Sequence, residues 1–262
     1  MLKTLVGAFK NKDIRKKILY TLMILVIVRV GSLLPIPGVD TEYFSSLLSG
    51  INTGDLSYLS AFTGGSFERM SLFALSITPY INASIIMQLL AVVIPTLEEW
   101  SKEGVEGQKK TTKVTRYLTV VLAFLQAIGM AIGLKAAIIN PNPVYILIIA
   151  ITLTAGTVFL MWVGEQITAS GIGNGISLII FAGIVAALPK SIGTMYKYLQ
   201  AGTINYFNLF LFLVIALAMI VFVIAIQQGQ RRVPISYTKR VVGNKTYGGR
   251  SSHIPLKVNQ AG

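Results

Sequence analysis

The sequence contains no cysteine and a single histidine, His253. The absent thiols exclude disulfides and thiolate metal sites, and one imidazole cannot form a histidine metal cluster. The remaining residues offer no acid–base pair and no nucleophile–histidine set, so we predict no catalytic residue, no metal and no cofactor. The sequence therefore indicates a protein that is not an enzyme.

Charge is also scarce, because only 13% of the residues are charged, whereas soluble domains carry about a quarter. Hydrophobic residues make up 53% of the chain, and the mean hydropathy is +0.68. This composition predicts an all-α integral membrane protein. The net charge of +13 favours anionic lipid or nucleic acid as a neighbour.

Long apolar runs predict six transmembrane helices. They are residues 18–34, 72–93, 117–134, 144–163, 176–188 and 206–226. A span needs about 20 residues, so the fifth must extend into the glycine-rich stretch before it or into residues 191–198 after it. Arg29 is the one charged residue of the first span, and we expect its side chain to snorkel to the far membrane interface.

The basic residues indicate an orientation. Residues 1–17, 98–116 and 227–262 hold 18 of the 23 Lys and Arg residues, and these segments lie on one side if the spans alternate. By the positive-inside rule, we predict a cytoplasmic N-terminus. Residues 1–17 carry apolar side chains along one helical face, which is typical of an amphipathic helix at a membrane interface.

A polar, glycine-bearing stretch stands just before the second span. It consists of Thr63, Gly64, Gly65, Ser66, Phe67, Glu68 and Arg69. Backbone broken by glycine survives in a membrane protein only where it is packed in protein or faces water. The stretch therefore predicts the wall of a water-filled path and a segment that closes it.

Two isoleucine pairs have a four-residue spacing, Ile77 with Ile81 in the second span and Ile176 with Ile180 in the fifth. Residues four apart share one face of a helix. If both faces look inward, the four side chains would form an apolar constriction that blocks ions by dewetting. The alternative is that they face lipid or ordinary packing, and the spacing alone does not separate the two.

Residues 164–175 form a glycine-rich loop in which Gly171, Gly173 and Gly175 allow a tight turn and a close approach of two helices. The loop lacks the Gly-Lys-Ser/Thr ending and the preceding strand of a phosphate-binding loop, so we do not predict nucleotide binding. Glu165 would be disfavoured at a helix C-terminus, and we expect a basic partner from a nearby loop.

Residues 231–257 are basic and contain no acidic residue. The basic residues are Arg231, Arg232, Lys239, Arg240, Lys245, Arg250 and Lys257. The strand-like composition of residues 233–242 and the turn residues after them predict a hairpin that docks on RNA phosphates or on an acidic protein. The alternative is an ordinary basic cytoplasmic loop.

Several motifs together resemble the SecY family, the central subunits of bacterial Sec protein-conducting channels. They are Leu34-Pro35-Ile36-Pro37-Gly38-Val39-Asp40, residues 73–90 with Pro79-Tyr80-Ile81, the loop 164–175, Gln230-Arg231-Arg232 and His253-Ile254-Pro255-Leu256-Lys257-Val258-Asn259. The resemblance runs through the whole sequence. It implies a channel that conducts unfolded secretory polypeptides across a bacterial cytoplasmic membrane and releases membrane segments into lipid.

The resemblance also implies roles for particular residues. Its pore ring would consist of Ile77, Ile81, Ile176 and Ile180, and its plug would be residues 55–70. Asn82 and Gln126 would be polar residues of a lateral gate, which the second and third spans form, because a hydrogen bond between them is easily exchanged. The basic tail would contact the ribosome or the SecA motor. SecE and SecG subunits, a translocating polypeptide with its signal sequence, and anionic lipid would be further partners.

The organisation that the resemblance implies is the N-terminal part of an inverted-repeat fold of ten spans. Residues 1–17 would be a cytoplasmic amphipathic segment and 18–188 the first five-span half. Residues 189–226 would be an external loop with the sixth span, and 227–262 a basic cytoplasmic loop. A missing C-terminal half or a second copy of the chain would have to complete the channel.

A secondary transporter of small solutes is the competing prediction. It would need an ion-binding carboxylate in mid-membrane, but the six predicted spans contain no Asp or Glu and Glu165 lies at an edge. A purely structural membrane subunit is the third possibility, and it leaves the polar break at residues 63–69 unexplained.

Overall fold

A computed structural model describes residues 11–50, 63–139, 142–235, 240–242, 245–247 and 252–257. The described residues are mostly helical. The chain divides into two units, Met1–Ser191 and Ile192–Gly262, and the boundary falls inside one helix. The predicted amphipathic segment at residues 1–10 and the first part of the predicted plug, residues 55–62, lie outside the described residues.

The elements follow one another along the chain with short connections. The helices are α1 Lys12–Gly31, α2 Thr41–Gly50, α3 Thr78–Val93, α4 Pro95–Lys102, α5 Val105–Gly133, α6 Pro143–Ser170, α7 Gly175–Gln200 and α8 Tyr206–Gln228, with a 3₁₀ turn at Lys135–Ala137. The strands are β1 Gln230–Ile235, β2 Arg240–Val242, β3 Lys245–Tyr247 and β4 Ser252–Lys257.

Among the described residues, four helices, α5 to α8, are long and apolar enough to cross a membrane. The pair α3 and α4, bent by 102° at Ile94, can count as a fifth. Helix α1 does not meet the same criterion, since five of its first six residues are charged. Several helices that could cross a membrane are therefore present, while the count of six spans stays a prediction.

Helix α3 begins later than its apolar run. The apolar pattern predicts a helix from residue 72 that Pro79 interrupts, but the helix begins at Thr78, so that Pro79 is its second residue. A proline fits there because the first helical turn leaves its N–H groups unbonded. Residues 72–77 form turns instead, and Ser76 has a positive φ of 53°, which an L-residue in a helix cannot adopt.

Three other helices are longer than their apolar runs. Helix α5 starts at Val105, twelve residues before the predicted span, and its extension is the basic stretch that composition placed in a loop. Helix α6 continues to Ser170. Helix α7 runs on to Gln200 with Pro189 inside it, so the helix that holds the predicted fifth span extends into the residues that follow it.

Helices α5 and α6 pack on each other through small residues. Thr119, Ala123, Ala127 and Ala131 repeat every four residues along one buried face of α5. Small residues let two membrane helices approach closely, where dispersion contacts replace the hydrophobic effect that lipid does not supply. Helix α3 also packs against α5, so α5 is the central element of this unit.

Two groups of buried apolar residues make up the core of the first unit. In the first apolar cluster, residues of the connecting segments pack against α2, α5 and α6. Its aromatic pair, Phe44 and Phe67, packs edge to face with ring centres 5.9 Å apart. The second, which we call the isoleucine cluster, joins α1, α3, α6 and α7. Its buried members are Ile24, Phe73, Ile77, Leu160, Val163, Ile167 and Ile179.

The second unit contains α8 and the strands. None of the α8 residues, all of which the structure describes, is buried. Strands β1 and β4 pair antiparallel with Gln230 opposite Lys257, and β2 pairs antiparallel with β3. The tail thus contains two short antiparallel ladders.

Candidate functional site

The four isoleucines that the spacing singles out belong to one cluster. Ile77 is 1% exposed and buried inside the isoleucine cluster, and Ile81, Ile176 and Ile180 are half-buried and pack against it. The backbone N–H of Ile81 donates to the Ile77 carbonyl over 3.2 Å, so the first pair lies on consecutive turns. The structure thus brings the four residues together, and their role as a constriction stays a prediction.

Residues 63–70, which we call the turn segment, fold back on themselves just before α3. The Ser66 N–H donates to the Thr63 carbonyl over 3.2 Å, and the Phe67 N–H donates to the Thr63 hydroxyl over 3.2 Å. Gly64 and Gly65 have φ values of 63° and 82°, a region that other residues rarely enter. The two glycines of the motif are therefore required by the backbone itself.

Arg29 of α1 contacts the turn segment directly. Its Nη1 donates a hydrogen bond to the Gly64 carbonyl over 2.9 Å. The contact gives the guanidinium a backbone oxygen of the turn segment as its partner. Arg29 is thus part of the site, and its snorkelling to the membrane interface stays a prediction.

Helix α7 contacts the same segment at two places. A Cβ atom added to Gly64 would lie 2.9 Å from the Gly183 carbonyl oxygen and 3.1 Å from its Cα, so the two backbones touch. One to two turns further along, the Lys190 ammonium forms an ion pair with the Glu68 carboxylate. The neighbouring Arg69 is exposed.

A small cavity of about 50 Å³ lies where α1, α6, α7 and the turn segment meet. Its polar lining residues are Arg29, Ser32, Thr63, Ser66 and Ser76. Its apolar wall includes Phe73, Leu160 and Ile179 of the isoleucine cluster. A water molecule needs roughly 10–15 Å³ on this measure, so the cavity has room for a few. A polar, hydratable space thus adjoins the apolar cluster, and the water-filled path expected from the glycine-bearing stretch stays a prediction.

The far end of the turn segment is fixed by backbone contacts. The Ile36 N–H donates to the Met70 carbonyl over 3.0 Å, and the Leu72 N–H donates to the Leu34 carbonyl over 2.9 Å. A Cβ atom on Gly156 of α6 would lie 2.1 Å from the Leu72 carbonyl oxygen. The chain just after the turn segment is therefore held by the residues that follow α1 and by close packing against α6.

The two predicted gate residues lie on adjacent packed helices. Asn82 of α3 and Gln126 of α5 are both half-buried. Among the hydrogen bonds of the described residues, none joins the two side chains. Their role in a lateral gate stays a prediction.

The glycine-rich loop allows a close approach of α6 and α7. A Cβ atom on Gly175 would lie 2.0 Å from the Gly164 carbonyl oxygen, and the Gly175 N–H donates to the Thr168 hydroxyl over 2.9 Å. Glu165 does have a basic partner, but it comes from helix α5 rather than from a loop. The Arg116 Nε donates to a Glu165 carboxylate oxygen over 2.8 Å, and this pair ties α5 to α6.

The predicted tail contacts are only partly within the described residues. Lys239 and Arg250 lie outside them. Arg231 is exposed on β1 opposite Leu256, and Arg232 stands opposite Pro255 in the same ladder. Arg240 and Lys245 belong to the shorter ladder of β2 and β3. A docking role for this tail stays a prediction. Nowhere in the described part of the chain do three His, Asp or Glu side chains gather as metal ligands would.

Sequence reasoning missed Gly183 and Lys190. A glycine in an apolar helix and a single lysine beside Pro189 carry no local signal, because both act on a segment more than 110 residues away. Arg29 did have a signal, since a lone charge within an apolar helix is by default a candidate functional residue. The sequence analysis predicted only snorkelling for this side chain and did not predict its contact with Gly64.

Comparison with known proteins assigns the family. A family model described as SecY matches residues 71–262. The protein translocase subunit SecY of Halalkalibacterium halodurans is 45% identical over 272 aligned positions, covering all of this chain and 63% of that protein. The same subunit of Escherichia coli K12 is 44% identical over 256 positions, covering 95% of this chain and 58% of that protein. The chain thus spans about three fifths of the length of these relatives.

Solved structures agree at the level of the fold. One described as a protein conducting channel has a TM-score of 0.57 and covers 92% of this chain and 52% of its own. Sec61 in a canine ribosome-channel complex gives 0.56, with 84% and 49% covered. A SecY structure whose plug domain is said to stabilise the closed state gives 0.56, with 92% and 52% covered. Each is 20% identical, so this likeness concerns the fold alone. The match of the family model over residues 71–262 shows that the chain belongs to the SecY family.

Proposed function

We propose that this chain forms part of a channel that conducts unfolded secretory polypeptides across the cytoplasmic membrane of a bacterium and releases membrane segments into lipid. The observation that carries the proposal is the contact between the isoleucine cluster and the cavity beneath the turn segment, which share Phe73, Leu160 and Ile179. An apolar constriction beside a hydratable space is what a channel with a seal requires. The chain has no role as an enzyme in this proposal.

The constriction would work through its apolar side chains. Ile81, Ile176 and Ile180 lie at the border of their cluster, where they can line a passage, and Ile77 supports them from inside. A narrow apolar ring excludes water and ions by dewetting, yet its side chains rotate aside for a wide polypeptide. The turn segment would be the end of the plug, in keeping with the related structure in which a plug domain stabilises the closed channel.

The lateral gate would open along α3 and α5. Asn82 and Gln126 are half-buried polar residues on these two packed helices. Polar side chains exchange hydrogen-bond partners at low cost, so an apolar signal helix could wedge between the helices and reach lipid. In this proposal α5 also holds the gate in register through the Arg116–Glu165 pair.

The membrane topology in this proposal has six spans, with α1 as the first and the bent pair α3 and α4 as the second. The basic segments at residues 1–17, 98–116 and 227–262 then lie on the cytoplasmic side, which agrees with the positive-inside rule. The basic extension of α5 would stand out from the membrane into the cytoplasm.

The partners would be those of a translocase. The named relatives are subunits of a protein translocase, and one related structure is a ribosome-channel complex. We propose SecE and SecG subunits, the ribosome or the SecA motor at the basic tail, and anionic lipid around the basic segments. A C-terminal half or a second copy would face the isoleucine cluster and complete the ring.

A secondary transporter is less well supported. Within the described parts of the predicted spans there is no Asp or Glu, and Glu165 is engaged by Arg116 at 2.8 Å. A coupled transporter needs a carboxylate that is free to bind and release an ion in mid-membrane. The membership of the chain in the SecY family points away from this function as well.

Crosslinking of a stalled secretory chain tests the proposal. The protein contains no cysteine, so single cysteines can be placed at Ile81 and Ile180 without a background of native thiols. Membrane vesicles that hold the chain with its natural partners would receive a secretory polypeptide stalled in transit with a thiol-reactive group. We expect crosslinks from both positions.

Matched controls lie on the same two helices. Leu89 of α3 is 65% exposed and Phe181 of α7 is 62% exposed, so cysteines at these positions should face lipid. The proposal predicts that they stay unlinked. Crosslinks at Leu89 and Phe181 without crosslinks at Ile81 and Ile180 would contradict it.

A further inference from the structure

We propose that an electrostatic latch, formed by the Glu68–Lys190 ion pair and the Arg29–Gly64 hydrogen bond, holds the turn segment against α7 and α1 and sets how often it opens. This inference rests on the proposed function, in which the turn segment is the end of the plug. It goes further by naming the contacts that hold the turn segment in its closed position and by identifying a high salt concentration as the condition that weakens them.

The two ends of the turn segment are held in different ways. After Met70 the chain is fixed by backbone hydrogen bonds to the residues that follow α1, at 3.0 Å and 2.9 Å. Such bonds do not depend on any side chain. Before Met70 the segment is held by two side-chain contacts. The Arg29 guanidinium of α1 donates to the Gly64 carbonyl, and the Lys190 ammonium of α7 pairs with the Glu68 carboxylate. Met70 itself has a positive φ of 44°, so the backbone changes direction between the part held by side-chain contacts and the part held by backbone hydrogen bonds.

The ion pair is exposed enough to be reversible. The Lys190 side chain is 71% exposed and that of Glu68 is 38% exposed. Pairs of this kind contribute little and are screened by salt, because water solvates both charges almost equally well when they separate. A contact that must break in every transport cycle is expected to be of this type rather than a buried pair.

An apolar contact also holds the turn segment in its closed position, and this contact is not weakened by salt. Phe67 is 7% exposed and packs edge to face on Phe44 of α2. Salt does not weaken apolar burial, so the aromatic contact and the latch can be separated by experiment. The close approach of Gly64 to Gly183 places the segment near enough to α7 for Lys190 to reach Glu68.

Thiol labelling measures the opening directly. Ser66 is 2% exposed, so a cysteine at this position reacts with a membrane-permeant maleimide only when the segment moves away. The labelling rate would be measured in membrane vesicles that contain the chain with its natural partners, in the Ser66→Cys background. The variants are Glu68→Gln, Lys190→Gln and the swapped pair Glu68→Lys with Lys190→Glu. Lys197→Gln, on the same helix, is the control for loss of one positive charge.

We expect Glu68→Gln and Lys190→Gln each to raise the labelling rate by about two- to fivefold, the range given by an exposed ion pair. The swapped pair should return the rate close to that of the unmodified latch, and Lys197→Gln should leave it unchanged. Raising the salt concentration should speed labelling of the unmodified latch and have no such effect in Lys190→Gln. A rate that responds neither to salt nor to the removal of either charge would overturn the latch.

The same vesicles separate this inference from the proposed function. If a stalled polypeptide still crosslinks at Ile81 and Ile180 while labelling ignores the ion pair, the latch is wrong and the channel stands. If labelling follows the ion pair but the polypeptide crosslinks at neither position, the segment opens as inferred and the channel proposal is wrong.

Discussion

Two buried hydroxyl groups, on Ser71 and Thr157, have no hydrogen-bond partner among the described residues. Ser71 is 0% exposed and follows the turn segment, and Thr157 is 1% exposed on α6. A buried hydroxyl without a partner has lost its hydration and gained nothing in return. At these positions we expect the polar atom itself to lower stability.

Replacing Thr157 by valine should therefore raise the stability of the protein, by about 1 kcal/mol. Thr119→Val is the matched control, because the Thr119 hydroxyl is equally buried but donates to the Thr115 carbonyl over 2.7 Å. Thermal unfolding of the purified protein in detergent measures both. The result expected is a higher Tm for Thr157→Val than for Thr119→Val, and equal losses in the two variants would contradict it.

The Arg116–Glu165 pair makes a second prediction for single residues. The Glu165 side chain is 23% exposed and that of Arg116 is 50% exposed, so the pair is only partly screened. We expect a double-mutant cycle with Arg116→Ala and Glu165→Ala to give a coupling of about 0.5–1 kcal/mol in unfolding experiments. A coupling of zero would mean that the two charges stabilise the packing of α5 on α6 independently of each other.

At the level of elements, the apolar runs predicted the first residues of α6, α7 and α8 to within one position, but not the starts of α1, α3 and α5. The α8 run at residues 206–226 is nearly the whole helix, because no polar residue interrupts it. The start of α5 was missed because a solvated helical extension has no apolar run, and its charged residues were read as a loop. The start of α3 was missed although Pro79 is a signal for it, because proline is favoured in the first turn of a helix and was instead taken to interrupt one.

The glycines of α5 and α6 give a prediction at the scale of elements. A methyl group on Gly156 would lie 2.1 Å from the Leu72 carbonyl oxygen, while one on Gly129 has no neighbour within 4 Å. Gly156→Ala should therefore force α6 away from the chain before α3 and destabilise the protein by about 1–3 kcal/mol. Gly129→Ala should raise its stability by up to about 1 kcal/mol, because alanine favours the helix.

Unfolding of the two glycine variants in the same detergent checks this pair of predictions. The close packing of α6 against the chain before α3 requires that their Tm values move in opposite directions. If Gly156→Ala is tolerated as well as Gly129→Ala, the close contact at Leu72 is not part of the folded protein.

At the scale of the whole molecule, the candidate site could be predicted in outline but not in its connections. The glycines of the turn segment were enough to expect a polar path, whereas the spacing of Ile77, Ile81, Ile176 and Ile180 left the constriction open and only the resemblance to the SecY family favoured it. The bonds that hold the segment join residues 35 and 122 positions apart, from Arg29 to Gly64 and from Glu68 to Lys190. Only tertiary packing brings such residues together, and a single sequence read by itself carries no trace of it.

Different parts of the molecule are held in place by different kinds of contact. Small residues fix α5 on α6, backbone hydrogen bonds fix the chain after Met70, and charged side chains hold the turn segment that stands beside the isoleucine cluster. Strong contacts therefore lie in the scaffold, and weaker ones hold the segment that moves in the proposed channel.

The measurement that tests the central claim most directly is the ion conductance of lipid bilayers that contain the protein with its natural partners. Replacing Ile81 and Ile180 by asparagine would hydrate the apolar ring, and we predict a steady ion leak through the closed channel that the unmodified protein does not allow. Asparagine at the exposed Phe181 is the control and should cause no leak. A folded Ile81→Asn, Ile180→Asn protein that stays as tight to ions as the unmodified one would contradict the claim that these isoleucines form the seal.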